Sequence, residues 1–584
     1  MNKSAIILLC AVAATATTYA QDEKDLNKTI VVEKEFVPVE TKAVKPVAQP
    51  KEAPVTTEKV QLRFSDWALP AQFEPQAVVQ SPIAYPDESL AKFRRRGYVD
   101  LAMGNYLNIV GSAGYRIIDK EKTSLGIWLQ HNSTSADLLD DYANDKGETF
   151  SDPEKQNVID DRLGVDFNSK LRRGIIDASI GYHFSKFNYF AAIDNATDDD
   201  KEKQGVNDFR MALGWRSLDD ASTRYRLGAE FNYFGFDYGK LKSDNIDGLS
   251  EIDFRLKAAI SQTFGDRSYA GVDAAFQLVG LDNIALESPE SIESIESIEL
   301  DSETFGMVSL TPNYEKRSDN MRLRIGARVD ISFNNGATFR FAPDVKFDYA
   351  FNDVVSLAVD ATGGNTINTV HNIFARNRYM EPSLRLPTTY TLIDATAAIR
   401  LGLIKGLSIS PFVGFAATRH SIVPTMPFSP TSGQISYADI DLNGLKVGLQ
   451  LGYRYGSLVD FSAKYAFTPQ SEDSGYAADD NRAEHNLDAT VNVRPISKLN
   501  IGIGYRLRAL RTVSSVNNAA DGSKDYSSKL LSNISNINLS ASYQINDLIS
   551  VFCQANNLLN REYELYDGIP AQKFNILGGV GLTF

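Results

Sequence analysis

The chain has almost no cysteine. Of two in 584 residues, Cys10 falls in an apolar leader, which leaves Cys553 alone and rules out a disulfide framework. Histidine is also scarce: His131, His183, His371, His420 and His485 are scattered, with no pair at metal-ligand spacing. Beyond the N-terminus, no stretch is apolar over the roughly 20 positions that a membrane-crossing helix needs. Basic residues are not in excess. Sixty Lys and Arg against 74 Asp and Glu give a net charge of −14, which argues against nucleic acid as a partner. No nucleophile, base and acid form a catalytic motif, so neither an enzyme nor a cofactor is expected. At 584 residues the chain is too long for one ordinary soluble core.

What is present is alternation. The ending KFNILGGVGLTF puts Phe574, Ile576, Gly578, Val580, Leu582 and Phe584 on one strand face. Lys573, Asn575, Gly579, Gly581 and Thr583 take the other, with Leu577 out of pattern. The same period recurs after Arg94-Arg95-Arg96. Met321, Leu323, Ile325, Ala327, Val329, Ile331 and Phe333 alternate with Arg322, Arg324, Gly326, Arg328, Asp330 and Ser332. Ile252 to Ile260 alternate with Asp253, Arg255 and Lys257, and Leu499 to Leu507 with Asn500, Gly502, Gly504, Arg506 and Arg508. Three arginines on one face have no place in a dry sandwich core. Either they coat a large soluble β-protein, or they line the lumen of a barrel whose greasy face meets lipid.

The connections choose between these. Short turns are predicted at Asp119–Lys122, Leu171–Gly174, Gly265–Ser268, Asn352-Asp353, Lys405-Gly406, Ser497-Lys498, Asn546-Asp547 and similar sites. Between them lie longer polar loops, among them 135–155, 190–206, 282–301, 364–386 and 557–571. Tight turns alternating with long loops is the asymmetry of a bacterial outer-membrane barrel. Counting hairpins gives about 22 strands, and roughly 488 residues divide among them with enough in each to cross a bilayer. A change of phase near Asn443-Gly444 reads as a bulge. The fold class expected is all-β, a transmembrane antiparallel barrel with an extended N-terminal segment.

Residues 1–20 read as a signal peptide, with Lys3, the apolar Ala5–Ala14 and Thr18-Tyr19-Ala20 before the cleavage point. Residues 21–95 carry eight of the 21 prolines and read as extended and Pro-rich, and the barrel is expected over 96–584. Within the extended part, Thr29, Ile30, Val31 and Val32 suit strand addition to a partner's sheet edge, or form an incidental piece of linker.

Asn556-Asn557-Leu558-Leu559-Asn560-Arg561-Glu562-Tyr563, followed by a short loop and a last strand ending in Phe584, resembles the C-terminus of TonB-dependent outer-membrane receptors. The Thr29–Val32 island resembles their TonB box. The resemblance implies a 22-strand barrel in a Gram-negative outer membrane, assembly through a C-terminal Phe584, and a TonB-type or other periplasmic partner. Members of that family carry a folded plug of well over a hundred residues, whereas about 75 Pro-rich residues stand in its place here. The layout therefore resembles plug-lacking homologues of the Bacteroidetes.

The candidate functional residues are the cations of the polar face: Arg255, Lys257, Arg322, Arg324, Arg328, Arg506 and Arg508. Facing water they attract anionic solutes; alternatively they pair with Asp253, Asp330 or an inserted segment. The function expected is porin-like passage of solutes across the outer membrane, passive or gated by a partner. The alternative is a barrel that scaffolds an outer-membrane complex. Outer-membrane lipid is the expected surroundings.

Overall fold

An extended segment with one greasy face must pair its backbone groups in a sheet, and within lipid only a closed ring leaves none of them unpaired. This chain adopts that solution. The computed structural model describes residues 95–584 apart from 139–141, 144–148, 151–154, 190–202, 219–221, 239–247, 266, 286–299, 383–385, 427–433, 470–482 and 519–523. The signal peptide, the Pro-rich segment and its Thr29–Val32 island lie outside the described residues.

Twenty-two antiparallel strands form the ring, from Gly97–Gly104 to Asn575–Thr583, each paired with its neighbours in sequence. One is interrupted: Lys524–Leu531 and Ile534–Gln544 both pair with Leu499–Asn518, and together make a single wall strand. The ring closes where the first strand meets the last, with Leu101 opposite Val580. The carbonyl of Phe584 accepts from the backbone N–H groups of Arg96 and Gly97 at 2.8 Å, and Phe584 N donates to Gly97 O at 2.9 Å. Asn105 stitches the other end of this seam, its Nδ2 donating to Phe574 O and its Oδ1 accepting from Ile576 N.

Turn chemistry sets one end of the ring. Asn352 and Asn546 each accept, through Oδ1, the two N–H groups that would otherwise be orphaned in their turns, at 2.8 and 2.9 Å. Gly406 has φ +87°, and a Cβ there would strike Arg454 O. Most connections at this end are that short. The long ones emerge at the other end.

The alternation divides the wall by face. Ile325, Val580 and Leu582 are exposed on the outside, a surface suited to acyl chains. On the inside, Asp208, Asp253 and Asp330 are buried among polar partners. Near the long loops the inner face changes character: Val158, Phe187, Val206, Phe234, Phe236 and Val279 point inward and are nearly fully buried. This explains the change of phase near Asn443-Gly444, where the bulge expected from the sequence is absent. Register runs unbroken through Ala417↔Asn443 and Ala416↔Gly444, and the true irregularity lies in the adjacent strand, between Thr418 and Ser421. There His420 has φ +52°. Ile440 points into the dry inner core while Leu445 points outward. The hydrophobic residues change face; the backbone keeps step.

Candidate functional site

The connection between the strands Val355–Thr366 and Thr389–Ile404, expected as a polar loop, is a folded segment. It opens with Thr369, whose hydroxyl accepts from Asn372 N at 3.2 Å and caps the helix Val370–Arg376. The helix stops at Asn377, in extended conformation, with its N–H on Ile373 O. One face of this single long turn is apolar. Phe374 packs its ring 5.9, 5.2 and 5.8 Å from those of Phe187, Phe234 and Phe236. Val370 and Ile373 are 2% exposed beside it. Each such burial contributes up to about 1.5–3 kcal/mol.

Polar latches surround that contact. Glu251, 2% exposed, accepts from Val370 N at 2.6 Å and His371 N at 3.4 Å, so its carboxyl oxygens satisfy otherwise unpaired amides of the first turn. Arg378 Nη2 meets Asp160 Oδ2 at 2.9 Å. The strand holding Asp160, Lys155–Leu171, is close to the far side of the ring from the strand that launches the segment. The segment therefore crosses the lumen. Desolvation works to lower the Arg378 pKa, but the neighbouring Asp160 prevails and raises it, so the guanidinium stays charged. Burial pushes the Tyr379 hydroxyl up, and Gln156 Nε2 donates to its oxygen at 3.0 Å.

From Asp160 the polar contacts continue along the wall. His183 stands 3.3 Å from Asp160 and 3.8 Å from Asp208; His371 reaches Asp208 at 3.4 Å, and Arg210 meets the same Asp208 at 2.7 Å. Two histidines widely separated in sequence are thus joined through one carboxylate. Guanidinium groups from Arg378 and Arg210 occupy both acids, and among the described residues no group of His, Cys, Asp and Glu has the arrangement of a metal site.

A second connection meets the first. Arg511, fully buried, donates to Glu564 O and Leu565 O at 2.8 Å and to Ser532 O at 2.9 Å. This holds the last loop against the wall where the interrupted strand breaks. From that loop Tyr566 OH donates to Arg376 O at 2.9 Å. The Asn-Leu-Leu-Asn motif shapes its start. Asn557 and Asn560 take φ +49° and +48°, a region asparagine tolerates better than most residues. Asn557 Nδ2 then donates to Arg561 O and Gln572 O, while Asn560 Oδ1 accepts from Phe574 N. The role visible for this motif is to build a turn.

The seven cations of the polar face all have carboxylate partners. Arg255 meets Asp253 at 2.5 Å, Lys257 meets Glu230 at 2.7 Å, and Arg322 meets Glu315 at 3.0 Å. Arg324 lies between Asp273 and Asp344 at 2.6 and 2.8 Å. Arg328 meets Asp330 at 2.8 Å and donates to Asn365 O at the root of the crossing segment. Arg506 and Arg508 share Asp488 at 3.2 and 2.8 Å. Sequence reading did not single out Asp160, Asp208, Glu251 or Arg511. A charge on an inward position near a long loop was the available signal.

No protein-family model and no curated protein matches the sequence. Among solved structures the chain is similar to the siderophore receptor PirA from Acinetobacter baumannii, with TM-score 0.61 and 11% identity over 84% of this chain and 80% of that one. The fold is that of siderophore receptors. A mutant of the ferric enterobactin receptor PfeA from Pseudomonas aeruginosa, in complex with enterobactin, gives TM-score 0.63 and 12% identity over 84% and 81%. The FrpB iron transporter from Neisseria meningitidis gives 0.62 and 9% over 85% and 83%. These neighbours are receptors and transporters rather than enzymes. The siderophore-receptor fold and the apolar outer band place the barrel in a Gram-negative outer membrane.

Proposed function

We propose that this chain is a plug-lacking barrel of the TonB-dependent receptor type that passes solutes across the outer membrane, with its own crossing segment as the gate. The observation that carries the reading is the closed ring of 22 strands, apolar outside and charged inside, spanned at its long-loop end by residues 367–382. A ring of that size is wide enough for a water-filled path unless something fills it. Here part of the filling is a connection of the wall itself, held by Glu251 and Asp160.

The plug-lacking part of the reading is supported by the composition of residues 21–95, which carry eight of the 21 prolines. Energy coupling would run through Thr29–Val32, offered as an added strand to a TonB-type periplasmic domain. Planar-bilayer recordings test the proposal. The purified barrel should conduct in brief openings, and more continuously once the crossing segment is shortened. If both forms are silent, including with 21–95 removed, the conduit reading fails and a scaffold is left. A peptide covering 21–60 that does not bind a TonB-type C-terminal domain at high micromolar concentration removes the coupling.

A further inference from the structure

We infer that the outer wall carries a second site, a serine ester-hydrolase triad of Ser133, His131 and Asp161, placed to cleave acyl esters of the lipid around the barrel. The triad needs neither an open lumen nor a gate, so it stands or falls apart from the conduit proposed above.

A charge on the lipid-facing side singles out the place. In Thr123–Asp137 and Lys155–Leu171 alternate residues share a face, and Ile127, Leu129, Ile159 and Leu163 are exposed on the outer one. His131 and Asp161 fall on that same face, directly opposite one another in register, with side chains 36% and 41% exposed. Their chain neighbours Thr134 and Asp160 point inward and are buried. An ionisable pair among lipid-facing aliphatic side chains is costly, and such a residue marks a functional position. His131 Nδ1 lies 2.7 Å from Asp161 Oδ1, and His131 Nε2 lies 3.0 Å from Ser133 Oγ. A carboxylate only accepts, so the neutral imidazole carries its proton on Nδ1. Nε2 is then the acceptor, and the Ser133 hydroxyl donates to it. In that state an imidazole, oriented by an acid, can take the proton of a serine nucleophile. The sequence conceals the set because Asp161 arrives from the neighbouring strand.

The site lies where both reactants meet. One outward pair further toward the long loops, Ser135 Oγ donates to Asn157 Oδ1 at 2.7 Å, so the aliphatic band gives way to polar side chains just beyond Ser133. Long loops face the outside, which puts acyl chains on one side of the triad and water on the other. The adjoining turn offers donors to an oxyanion. Tyr106 and Leu107 have φ +56° and +46°, and among the described residues their N–H groups meet no acceptor. Ser135 N donates to Tyr106 O at 2.9 Å, which ties this turn to the strand of Ser133. In the reaction Ser133 Oγ adds to the ester carbonyl carbon as its proton passes to His131 Nε2. The bond to the alcohol oxygen breaks, His131 returns the proton to that oxygen, and the acyl group stays on Ser133. Water, giving its proton to His131, then releases the fatty acid and restores the hydroxyl. Asp161 is a positioning residue that touches His131 and not the ester.

The full-length barrel in detergent micelles carrying a diacyl phospholipid tests this, read as fatty acid released and as the residue labelled by a fluorophosphonate. Fatty acid release and a covalent adduct on Ser133 are expected. Ser133→Ala and His131→Gln should each lower the rate by about a hundredfold or more. Asp161→Asn should slow labelling of Ser133 by a similar factor, and Asp161→Glu should restore part of it. Ser169→Ala, whose hydroxyl lies 3.0 Å from Thr123 Oγ1 toward the tight-turn end, should leave the rate within about twofold. No adduct on Ser133, or fatty acid release that survives in Ser133→Ala prepared identically, overturns the inference.

Discussion

At the long-loop end the inward side chains are Phe187, Phe234 and Phe236, packed on a helix, with carboxylates buried beneath guanidinium groups. At the tight-turn end the inward side chains are charges in water: Arg317 and Arg322 share Glu315, and the Arg322 side chain is 56% exposed. The same strands supply both environments. What differs is the connection. A tight turn adds nothing to the lumen, whereas a long one returns apolar residues to it, and the inner wall answers with apolar residues of its own. Buried, hydrogen-bonded ions at one end are costly to disturb, while solvated pairs at the other contribute little.

This contrast can be broken most directly by replacing residues 367–388 with a short Gly-Ser link. Single-channel conductance should then rise several-fold; an unchanged value would show that the crossing segment does not obstruct the path. Asp160→Asn comes next, because it leaves Arg378 buried without its counter-charge. A loss of about 3–5 kcal/mol is expected for such a break, read as faster hydrogen exchange at the Ile373 and Asn377 amides. Glu251→Gln keeps the shape but weakens acceptance from Val370 N and His371 N. It should cost about 1–3 kcal/mol, seen as exchange at those two amides with Arg378 still latched. Smallest of all, Arg322→Gln at the tight-turn end should change stability by less than about 1 kcal/mol, with no shift of the thermal midpoint in detergent. A large effect there would erase the distinction between the two ends.

The sequence made the wall legible because its signals are local. Period two in Met321–Phe333 and turn residues such as Asn546-Asp547 need no distant partner to be read. Pairing of Arg255 with Asp253 and of Arg328 with Asp330 was visible for the same reason, since two residues along a strand return to one face. Asp488, Asp273 and Asp344 were not recognised as partners, because they reach their arginines only across strand registers. The crossing segment was hidden more deeply. Residues 364–386 have no sustained period, and their contacts, Asp160, Glu251 and Phe234, are over a hundred residues away in sequence. Ile440 and Leu442 misled for a physical reason: a lumen that is dry at one end makes apolar side chains correct on both faces of a strand.

The seam between Gly97–Gly104 and Asn575–Thr583 has a consequence for biogenesis. Its partners are separated by nearly the whole barrel sequence, so the loop that must close is the longest the chain can make, and pairing so remote is slow. Until the last strand arrives, Val99 and Leu101 present an unsatisfied edge. A chain cut short by even its final ten residues would have to carry that open border into the envelope, where it would recruit any extended peptide within reach.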